Sequence, residues 1–173
     1  MSEVITVNES DIALGSMEKI EAHEKGILHR AFSIFIFNNK GAMLLQQRAL
    51  NKYHSGGLWS NTCCSHPQPG EDTSVAAYRR LKEEMGFTAP LDEAFSFLYK
   101  TNFDNGLSEH EYDHVFTGIY DGDINPDKKE VNDYCFLPMN EIRAGLQAHP
   151  QKYTSWFKIA FPKLEDYLAT VSV

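Results

Sequence analysis

The sequence predicts an α+β sandwich in which a mixed sheet is covered by separate helices. Runs of aromatic and β-branched residues, typical of strands, are separated by turns rich in Gly and Asn. Amphipathic stretches with helical spacing lie between these runs and at the end of the chain. A chain in which strand runs are mixed with separate helices is typical of this class.

Length and composition predict one domain that spans residues 1–173. The net charge of −8 argues against a general attraction to nucleic acid or to an anionic membrane, so an anionic ligand needs a local basic pocket or a metal. The chain starts without a basic and apolar leader, and no apolar run reaches the roughly 18 residues of a membrane span. We therefore expect a cytoplasmic protein, monomeric or weakly dimeric, with its three cysteines reduced.

The first predicted element is a β-hairpin. Residues 31–37 and 42–48 are strand-like, and the polar, Gly-containing residues 38–41 between them supply a turn. A loop rich in Gly and polar residues follows at 51–57, and a short apolar run covers residues 58–62.

A helix is the next element. Pro67 and Pro69 keep the preceding segment irregular, residues 72–74 can cap the helix, and Gly86 is suited to the position after its end. At 100° per residue, Glu84 lies at the edge of the apolar arc and becomes the candidate to face the interior, whereas Glu83 points away. The arc itself contains Val75, Ala77, Tyr78, Leu81 and Met85, together with Lys82.

A second hairpin is predicted from residues 94–103 and 109–120, because the turn sequence Asp104-Asn105-Gly106 separates them. The remaining predicted elements are a short strand at 133–137, a helix at 138–148 and a terminal amphipathic helix at 154–168 that includes Pro162.

Two groups of side chains indicate chemistry. Cys64 and His66 lead into the helix whose last turn has paired carboxylates, and this combination suits a divalent metal, a phosphate ester and proton transfer. Glu109 and Glu111 alternate with His110, so a strand sends both carboxylates to one face. Two like charges so close need a cation; the alternative is a solvated strand face.

The helix also contains a motif. Glu71 followed by Arg79-Arg80-Leu81-Lys82-Glu83-Glu84-Met85-Gly86 resembles a degenerate Nudix box, G-x5-E-x7-R-E-U-x-E-E-x-G with U apolar. Ser65 replaces the leading glycine and Arg80 replaces the second glutamate. The loss of one metal-binding carboxylate counts against ordinary Nudix hydrolysis, although the glutamates that remain keep hydrolysis of a nucleoside diphosphate derivative as an alternative.

The run Cys64-Ser65-His66-Pro67-Gln68 is similar to the cysteine-histidine-proline motif of type 1 isopentenyl-diphosphate isomerases. Further matches occur in order from about Lys19 to Trp156, at Ala22-His23, 28–33, 47–50, 58–61 and 109–111. The resemblance implies a Nudix-like α/β/α sandwich with a mixed β-sheet. It also implies conversion of isopentenyl diphosphate to dimethylallyl diphosphate, in isoprenoid biosynthesis, through a tertiary carbocation.

The same resemblance implies two metal positions. A first divalent ion is held by three imidazoles and two carboxylates, a set that suits Mn²⁺ or Zn²⁺: His23, His29, His66, Glu109 and Glu111. The second ion, Mg²⁺, is held by Glu84, the backbone carbonyl at Cys64 and the substrate diphosphate. An intrahelical pair between Arg80 and Glu84 is the alternative role of that carboxylate, and both can hold at once. The segment before His29 is expected to close over the site.

The implied substrate contacts are basic: Lys19, Arg48, Lys52 and Arg80. The other four histidines have no family support and are expected to be structural: His54, His110, His114 and His149.

For catalysis the resemblance implies Cys64 and Glu111 as acid and base on either side of the isoprenoid chain, with Tyr99 relaying a proton. The face of Trp156 would stabilise a carbocation by roughly 0.5–2 kcal/mol. Cys63 competes with Cys64, but the Cys-x-His spacing selects the latter. Two other residues are expected to pack in the interior, namely Cys135 and Trp59. A metal-stabilised interaction module without turnover is a third possible function.

Overall fold

The computed structural model describes residues 2–171. Nine strands and four α-helices lie within that range. The strands are β1 (Glu3–Val7), β2 (Ala13–Glu18), β3 (His29–Phe37), β4 (Met43–Arg48), β5 (Trp59–Ser60), β6 (Cys63–Ser65), β7 (Asp92–Asn102), β8 (Ser108–Ile119) and β9 (Val131–Leu137). The helices are α1 (Lys19–Lys25), α2 (Thr73–Met85), α3 (Met139–Ala148) and α4 (Ser155–Val171).

Strand β3 is the centre of the sheet. It runs parallel to β8 over its whole length, from His29 beside Glu111 to Phe37 beside Ile119. Antiparallel β6 lies on its other side, and β7 extends the sheet beyond β8. The β1–β2 hairpin reaches β3 at Thr6. Parallel and antiparallel pairs thus coexist, which confirms the predicted mixed sheet.

The first predicted hairpin has the expected turn but much less pairing than expected. Gly41 has a φ of +81° and its N–H donates to the Asn38 carbonyl, yet only Phe37 and Met43 are paired between β3 and β4. Beyond that point β6 occupies the edge of β3, and Thr62 Oγ1 accepts from the N–H of Ile36. Strand β4 therefore diverges to pair with β5 and β9.

The two faces of the sheet pack against different helices, because side chains alternate along β3. Phe32, Ile34 and Ile36 are buried with the apolar residues of α2. Phe35 is buried on the opposite face, where α3 and α4 contribute Ile142, Phe157, Ala160, Phe161 and Leu164. Helices on both sides of one sheet confirm the α/β/α sandwich.

Helix α2 begins and ends where the sequence predicts. The Asp72 carboxylate accepts from the backbone N–H groups of Ser74 and Val75, and it satisfies donors that a helix start leaves free. Gly86, with a φ of +78°, donates its N–H to the Lys82 carbonyl and ends the helix.

The buried face of α2 differs from the predicted arc. Val75 is 56% exposed, Tyr78 is also exposed and Lys82 faces solvent, whereas Glu84 is buried. At 100° per residue the buried stripe is therefore rotated toward Glu84. The stripe is still largely apolar, and Glu84 is accommodated on it because its carboxylate accepts hydrogen bonds from Gln46 and Arg80.

The remaining predictions are confirmed, with boundaries that shift by one to three residues. Strands β7 and β8 form the second hairpin, and β9, α3 and α4 occupy the predicted segments, with Pro162 inside α4. The sequence patterns missed β1, β2, α1 and the short β6. None of the helices within residues 2–171 is long and apolar enough to cross a membrane.

Candidate active site and metal centre

Polar side chains occupy one end of the sheet face that packs on α4. Tyr99 on β7, Glu111 on β8 and His29 on β3 are direct neighbours across three strands. Glu109 lies two residues before Glu111, so both carboxylates share this face, as the alternating pattern predicts. Further along β8 the same face becomes apolar at Val115, which belongs to the core beneath α4.

All five predicted metal ligands gather here. Glu111 Oε2 lies 3.2 Å from His29 Nε2 and 2.8 Å from His66 Nε2, and Glu109 Oε1 lies 3.8 Å from His23 Nε2. Ligand atoms of the three histidines and Glu111 are within 4.8 Å of one another. Helix α1, which the sequence did not predict, brings His23 to this cluster and buries it completely.

The donor set fits a divalent ion. Nδ1 of His23 lies 2.7 Å from the Lys19 carbonyl oxygen, and Nδ1 of His29 lies 2.8 Å from that of Ile27, which directs both Nε2 atoms toward the carboxylates. Metal-binding histidines are commonly held in this way. The buried Nε2 of His23 has no hydrogen-bond partner within residues 2–171, as expected of an atom that awaits an ion.

Both carboxylates are held ionised. Burial opposes the charge on Glu111, but His29 and His66 outweigh it and lower the pKa well below its usual value. Burial and the neighbouring Glu111 oppose ionisation of Glu109, but the imidazoles of His23 and His54 lower its pKa. Two buried negative groups are thus stabilised by imidazoles, and a cation would neutralise them further.

The candidate thiol belongs to Cys64, and strand alternation separates it from its neighbour. Cys63 points into the core beneath α2, whereas Cys64 pairs with Ser33 and lines the cavity beside the carboxylates. Sγ lies 3.1 Å from Asn61 Oδ1 and 3.4 Å from Ser33 Oγ. Burial, reinforced by the nearby Asp113, raises the pKa of the thiol, so Cys64 is protonated at rest.

Tyr99 joins the two carboxylates. Its hydroxyl donates toward Glu109 Oε2, 2.7 Å away, and also contacts Glu111 Oε1. Burial, together with the charges of Glu109 and Glu111, raises the pKa of Tyr99 well above its usual value. The neutral hydroxyl is therefore available as a donor to either carboxylate.

The four predicted basic residues line the same cavity, which has a volume of about 750 Å³ including its open mouth: Lys19, Arg48, Lys52 and Arg80. The Nε atoms of Arg48 and Arg80 are buried and have no hydrogen-bond partner in the part of the chain that the structure describes. Lys52 is paired with Glu130, and Lys19 lies 4.9 Å from the ring centroid of Tyr53. The cavity thus gathers four basic side chains in a chain with a net charge of −8, which is what the binding of an anionic ligand requires.

Among the glutamates of the box, Glu84 differs from the other two. Glu84 lines the cavity, accepting from Arg80 at 2.6 Å and from Gln46 at 3.2 Å. Arg79 instead binds Glu71 at 2.8 Å and approaches Glu83 at 3.4 Å, outside the cavity. The intrahelical pair from Arg80 to Glu84 therefore exists, and only one box carboxylate faces the site.

The two tryptophans are placed differently. Trp156 is buried and lines the cavity, and the guanidinium carbon of Arg48 lies 5.0 Å from its ring centroid. Trp59 packs against the core beneath α4, as predicted, and so does Cys135.

Sequence analysis missed several polar residues of the site. His54, expected to be structural, lines the cavity with its Nε2 3.4 Å from Glu109 Oε1. Ser33, Asn61 and Asp113 surround the thiol, and Gln46 holds Glu84. The alternation along β8 could have indicated Asp113, but the others depend on contacts between segments distant in the chain.

The other three histidines lie outside this cluster. His110 Nδ1 lies 3.2 Å from the Gly26 carbonyl oxygen, and His114 contacts Asp11 and Glu93. His149 is exposed at the end of α3. These contacts agree with the structural roles expected of them.

Residues 27–157 match the NUDIX domain family. Solved structures share the fold, including a protein of Deinococcus radiodurans with a TM-score of 0.71 (19% identity, covering 86% of this chain and 90% of that one). A MutT protein of Methanosarcina mazei has a TM-score of 0.66 (20% identity, 80% and 94% covered). The fold and the box thus define a NUDIX-class protein.

Proteins related in sequence identify the family within this class. The isopentenyl-diphosphate Delta-isomerase of Pectobacterium atrosepticum is 51% identical, with 96% of this chain and 93% of the relative covered. Isopentenyl-diphosphate Delta-isomerase 2 of Aromatoleum aromaticum is 50% identical, with 89% and 82% covered. The chain belongs to the isopentenyl-diphosphate Delta-isomerase family.

Proposed function

We propose that this chain converts isopentenyl diphosphate to dimethylallyl diphosphate by moving one carbon–carbon double bond. The observation that carries the proposal is the lining of a single cavity. Cys64 and Glu111, one protonated and one ionised, lie in the same cavity as four basic side chains. An acid, a base and an anion site in one space are what the conversion of a homoallylic diphosphate to an allylic one requires.

The basic residues are proposed to bind the diphosphate. Arg48 and Arg80 have buried guanidinium nitrogens without partners among residues 2–171, and guanidinium groups bind phosphate oxygens with paired hydrogen bonds. Lys19 and Lys52 supply mobile charges at the same cavity. The partial burial of these four groups around one cavity supports an anionic substrate rather than a surface charge pattern.

Glu84 is the proposed protein carboxylate for Mg²⁺ that accompanies the diphosphate, together with the backbone carbonyl of Cys64. A carboxylate offers about four lone-pair positions, so the bonds from Arg80 and Gln46 leave room for an ion. Arg80 would then contact both the carboxylate and the phosphate, which aligns the diphosphate with α2.

Cys64 and Glu111 are proposed to exchange protons with the isoprenoid chain. Proton addition to the terminal alkene carbon leaves a tertiary cation, and removal of a proton from the neighbouring carbon completes the shift. Because isomerisation uses the same two groups in either direction, each is an acid in one direction and a base in the other. Tyr99 contacts both Glu109 and Glu111, so a relay through its hydroxyl would take up a proton from one carboxyl as it releases its own to the other and would leave the hydroxyl neutral.

The other divalent ion, Mn²⁺ or Zn²⁺, is proposed to bind three histidines and two glutamates: His23, His29, His66, Glu109 and Glu111. When bound, that ion supplies positive charge that sets the acidity of the Glu111 carboxyl. Trp156 is the proposed aromatic face for the cationic intermediate. Monomeric or weakly dimeric assembly and a cytoplasmic location stay predictions from the sequence.

Hydrolysis of a nucleoside diphosphate derivative is less well supported. It would need the box glutamates to cooperate at one metal site, yet only Glu84 lines the cavity. Glu71 is instead paired with Arg79, and Glu83 with Arg80 at 2.6 Å. A binding module without turnover would have no use for a protonated thiol beside a buried carboxylate pair.

The test follows double-bond migration by proton NMR with purified protein, isopentenyl diphosphate and Mg²⁺ in deuterated water. The parent enzyme should produce dimethylallyl diphosphate that contains solvent deuterium. Cys64→Ala and Glu111→Gln should each lower the rate by at least about 10²–10⁴, the usual contribution of a general acid or base. Cys135→Ala is the matched control, because that thiol packs outside the cavity.

Two outcomes would contradict the proposal. Undiminished turnover by Cys64→Ala would remove the thiol from the mechanism. Release of phosphate from a nucleoside diphosphate derivative, without any migration of the double bond in isopentenyl diphosphate, would establish the hydrolase instead.

A further inference from the structure

His54 lies at the edge of the metal centre, although neither the box nor the family motifs single it out. The loop between β4 and β5 brings it there and leaves it only 5% exposed. Its Nε2 is 3.4 Å from Glu109 Oε1, and His23, His54 and Glu109 form a group whose ligand atoms lie within 4.8 Å of one another. His23 also belongs to the group formed with His29, His66 and Glu111, so the two groups are contiguous.

The imidazole of His54 is fixed in orientation from three sides. Nδ1 lies 3.1 Å from Ser55 Oγ, the ring stacks on Phe103 with centroids 4.2 Å apart, and it meets Trp156 edge-on at 5.6 Å. His23 and His29 show the same arrangement, with Nδ1 held by an oxygen and Nε2 directed at the carboxylates. Metal-binding histidines typically have this second contact.

The Nε2 atom of His54 is left unsatisfied. It is buried and, like Nε2 of His23, makes no hydrogen bond to any residue between 2 and 171. Both atoms approach the same oxygen, Glu109 Oε1, at 3.4 Å and 3.8 Å. Adjacent donor atoms about 2.1 Å from one ion are roughly 3.0–3.4 Å apart, so the His54 separation of 3.4 Å matches shared coordination, and the His23 separation of 3.8 Å is slightly longer.

We propose that His54 is a sixth protein ligand of the metal centre, added to His23, His29, His66, Glu109 and Glu111. The two groups share only His23, so an ion that binds all six side chains would draw Glu109 and His54 toward the other three. The imidazole of His54 would then occupy a position that water could otherwise take, and the ion would act mainly as a fixed charge and a structural anchor. This inference rests on the metal centre of the proposed function, but not on isomerase activity.

A packing role for His54 makes a different prediction. If the ring only fills space between Phe103 and Trp156, an aromatic replacement should leave metal binding unchanged. His54→Phe retains a ring for this stack and removes Nε2, so it separates the two roles. His54→Ala is a second variant that removes both ring and ligand.

The experiment uses the full-length protein loaded with Mn²⁺ alone, without substrate. Competition with a chelator measures affinity, and the relaxation rate of water protons reports whether water reaches the bound ion. Both His54 variants should bind Mn²⁺ at least about 10–100-fold more weakly, since even partners that only support a ligand have effects of that size. Water relaxation per bound ion should rise, because a water molecule enters the vacated position.

His149→Ala is the matched control, because it removes an exposed imidazole far from this cluster. Circular dichroism should show that each variant keeps its fold. Unchanged affinity and unchanged water relaxation in His54→Phe would overturn the proposal. Since no turnover is measured, failure of the isomerase assignment would not affect this readout, and failure of His54 would leave that assignment intact.

Discussion

The hydroxyl of Ser33 lies between the Cys64 thiol and the Asp113 carboxyl. It donates to Asp113 Oδ2 at 2.7 Å and lies 3.4 Å from Cys64 Sγ. Burial, reinforced by the charge of Glu111, raises the pKa of Asp113 well above its usual value. A chain of hydrogen bonds therefore runs from a buried carboxyl to the proposed catalytic thiol, and it orients the thiol together with Asn61 Oδ1, 3.1 Å from Sγ.

Ser33→Ala tests this positioning. Loss of one hydrogen bond, worth about 0.5–1.5 kcal/mol, should lower kcat by roughly 2–10-fold while KM stays unchanged, because Ser33 does not face the basic residues. Steady-state kinetics with isopentenyl diphosphate measure both constants. Ser96→Ala, which removes an exposed hydroxyl on β7, serves as the control. A larger KM with an unchanged kcat would contradict the positioning role.

Tyr99→Phe tests the proton relay at the carboxylates. The phenyl ring keeps its packing, but the donor shared by Glu109 and Glu111 is lost. We expect kcat to fall by about 10²–10⁴, the range for general acid–base groups. Rate measurements with Tyr112→Phe in parallel provide the comparison, since the Tyr112 hydroxyl accepts a hydrogen bond from Ser96 on the exposed side of the hairpin. Equal rates in the two variants would remove Tyr99 from the relay.

At the scale of elements, the ends of α2 are determined by local sequence, whereas the face that it buries is determined by tertiary contacts. The ends of α2 follow from Asp72 and Gly86, whose local chemistry acts on adjacent backbone groups. Its buried face depends on the core that it packs against and on Gln46 of β4, which holds Glu84. Helical periodicity could therefore predict where the helix lies in the chain but not how it is rotated about its axis.

Gly86→Ala tests how the end of α2 is fixed. A left-handed residue with a side chain costs about 1–2 kcal/mol, and at Gly86 the added methyl group would also overlap the backbone carbonyl of Asn125. Gly41→Ala has a similar φ, +81°, with open space around it, so it isolates the conformational cost. Urea denaturation should show a larger loss of stability for Gly86→Ala. Equal losses would show that the Asn125 contact has no effect.

At the scale of the whole molecule, the metal centre joins segments that are distant in the chain. His23 comes from α1, His29 from β3, His66 from just beyond β6, and the two glutamates from β8. Helix α1 has only seven residues, too few for an isolated helix to be stable. An ion at this centre would therefore hold α1 against the sheet.

Metal removal should lower thermal stability. A ligand present at 100 times its Kd stabilises the folded state by about 2.7 kcal/mol, which corresponds to a Tm increase of roughly 5–11 °C for a chain of this size. Scanning calorimetry of chelated and Mn²⁺-reloaded protein measures this difference. Glu109→Gln should show a smaller shift. Identical Tm values with and without metal would show that the centre does not contribute to folding.

The sequence by itself determined the fold class, most element boundaries and the residue types of the site. Local chemistry was sufficient for these, because caps, turns and strand alternation act within a few residues, and the Cys64 and Glu109 motifs are short. Only the tertiary structure decided that β4 leaves β3, that α1 forms, and that His54, Ser33 and Gln46 belong to the site. Each of these depends on contacts across long stretches of chain, and no local pattern contains that information.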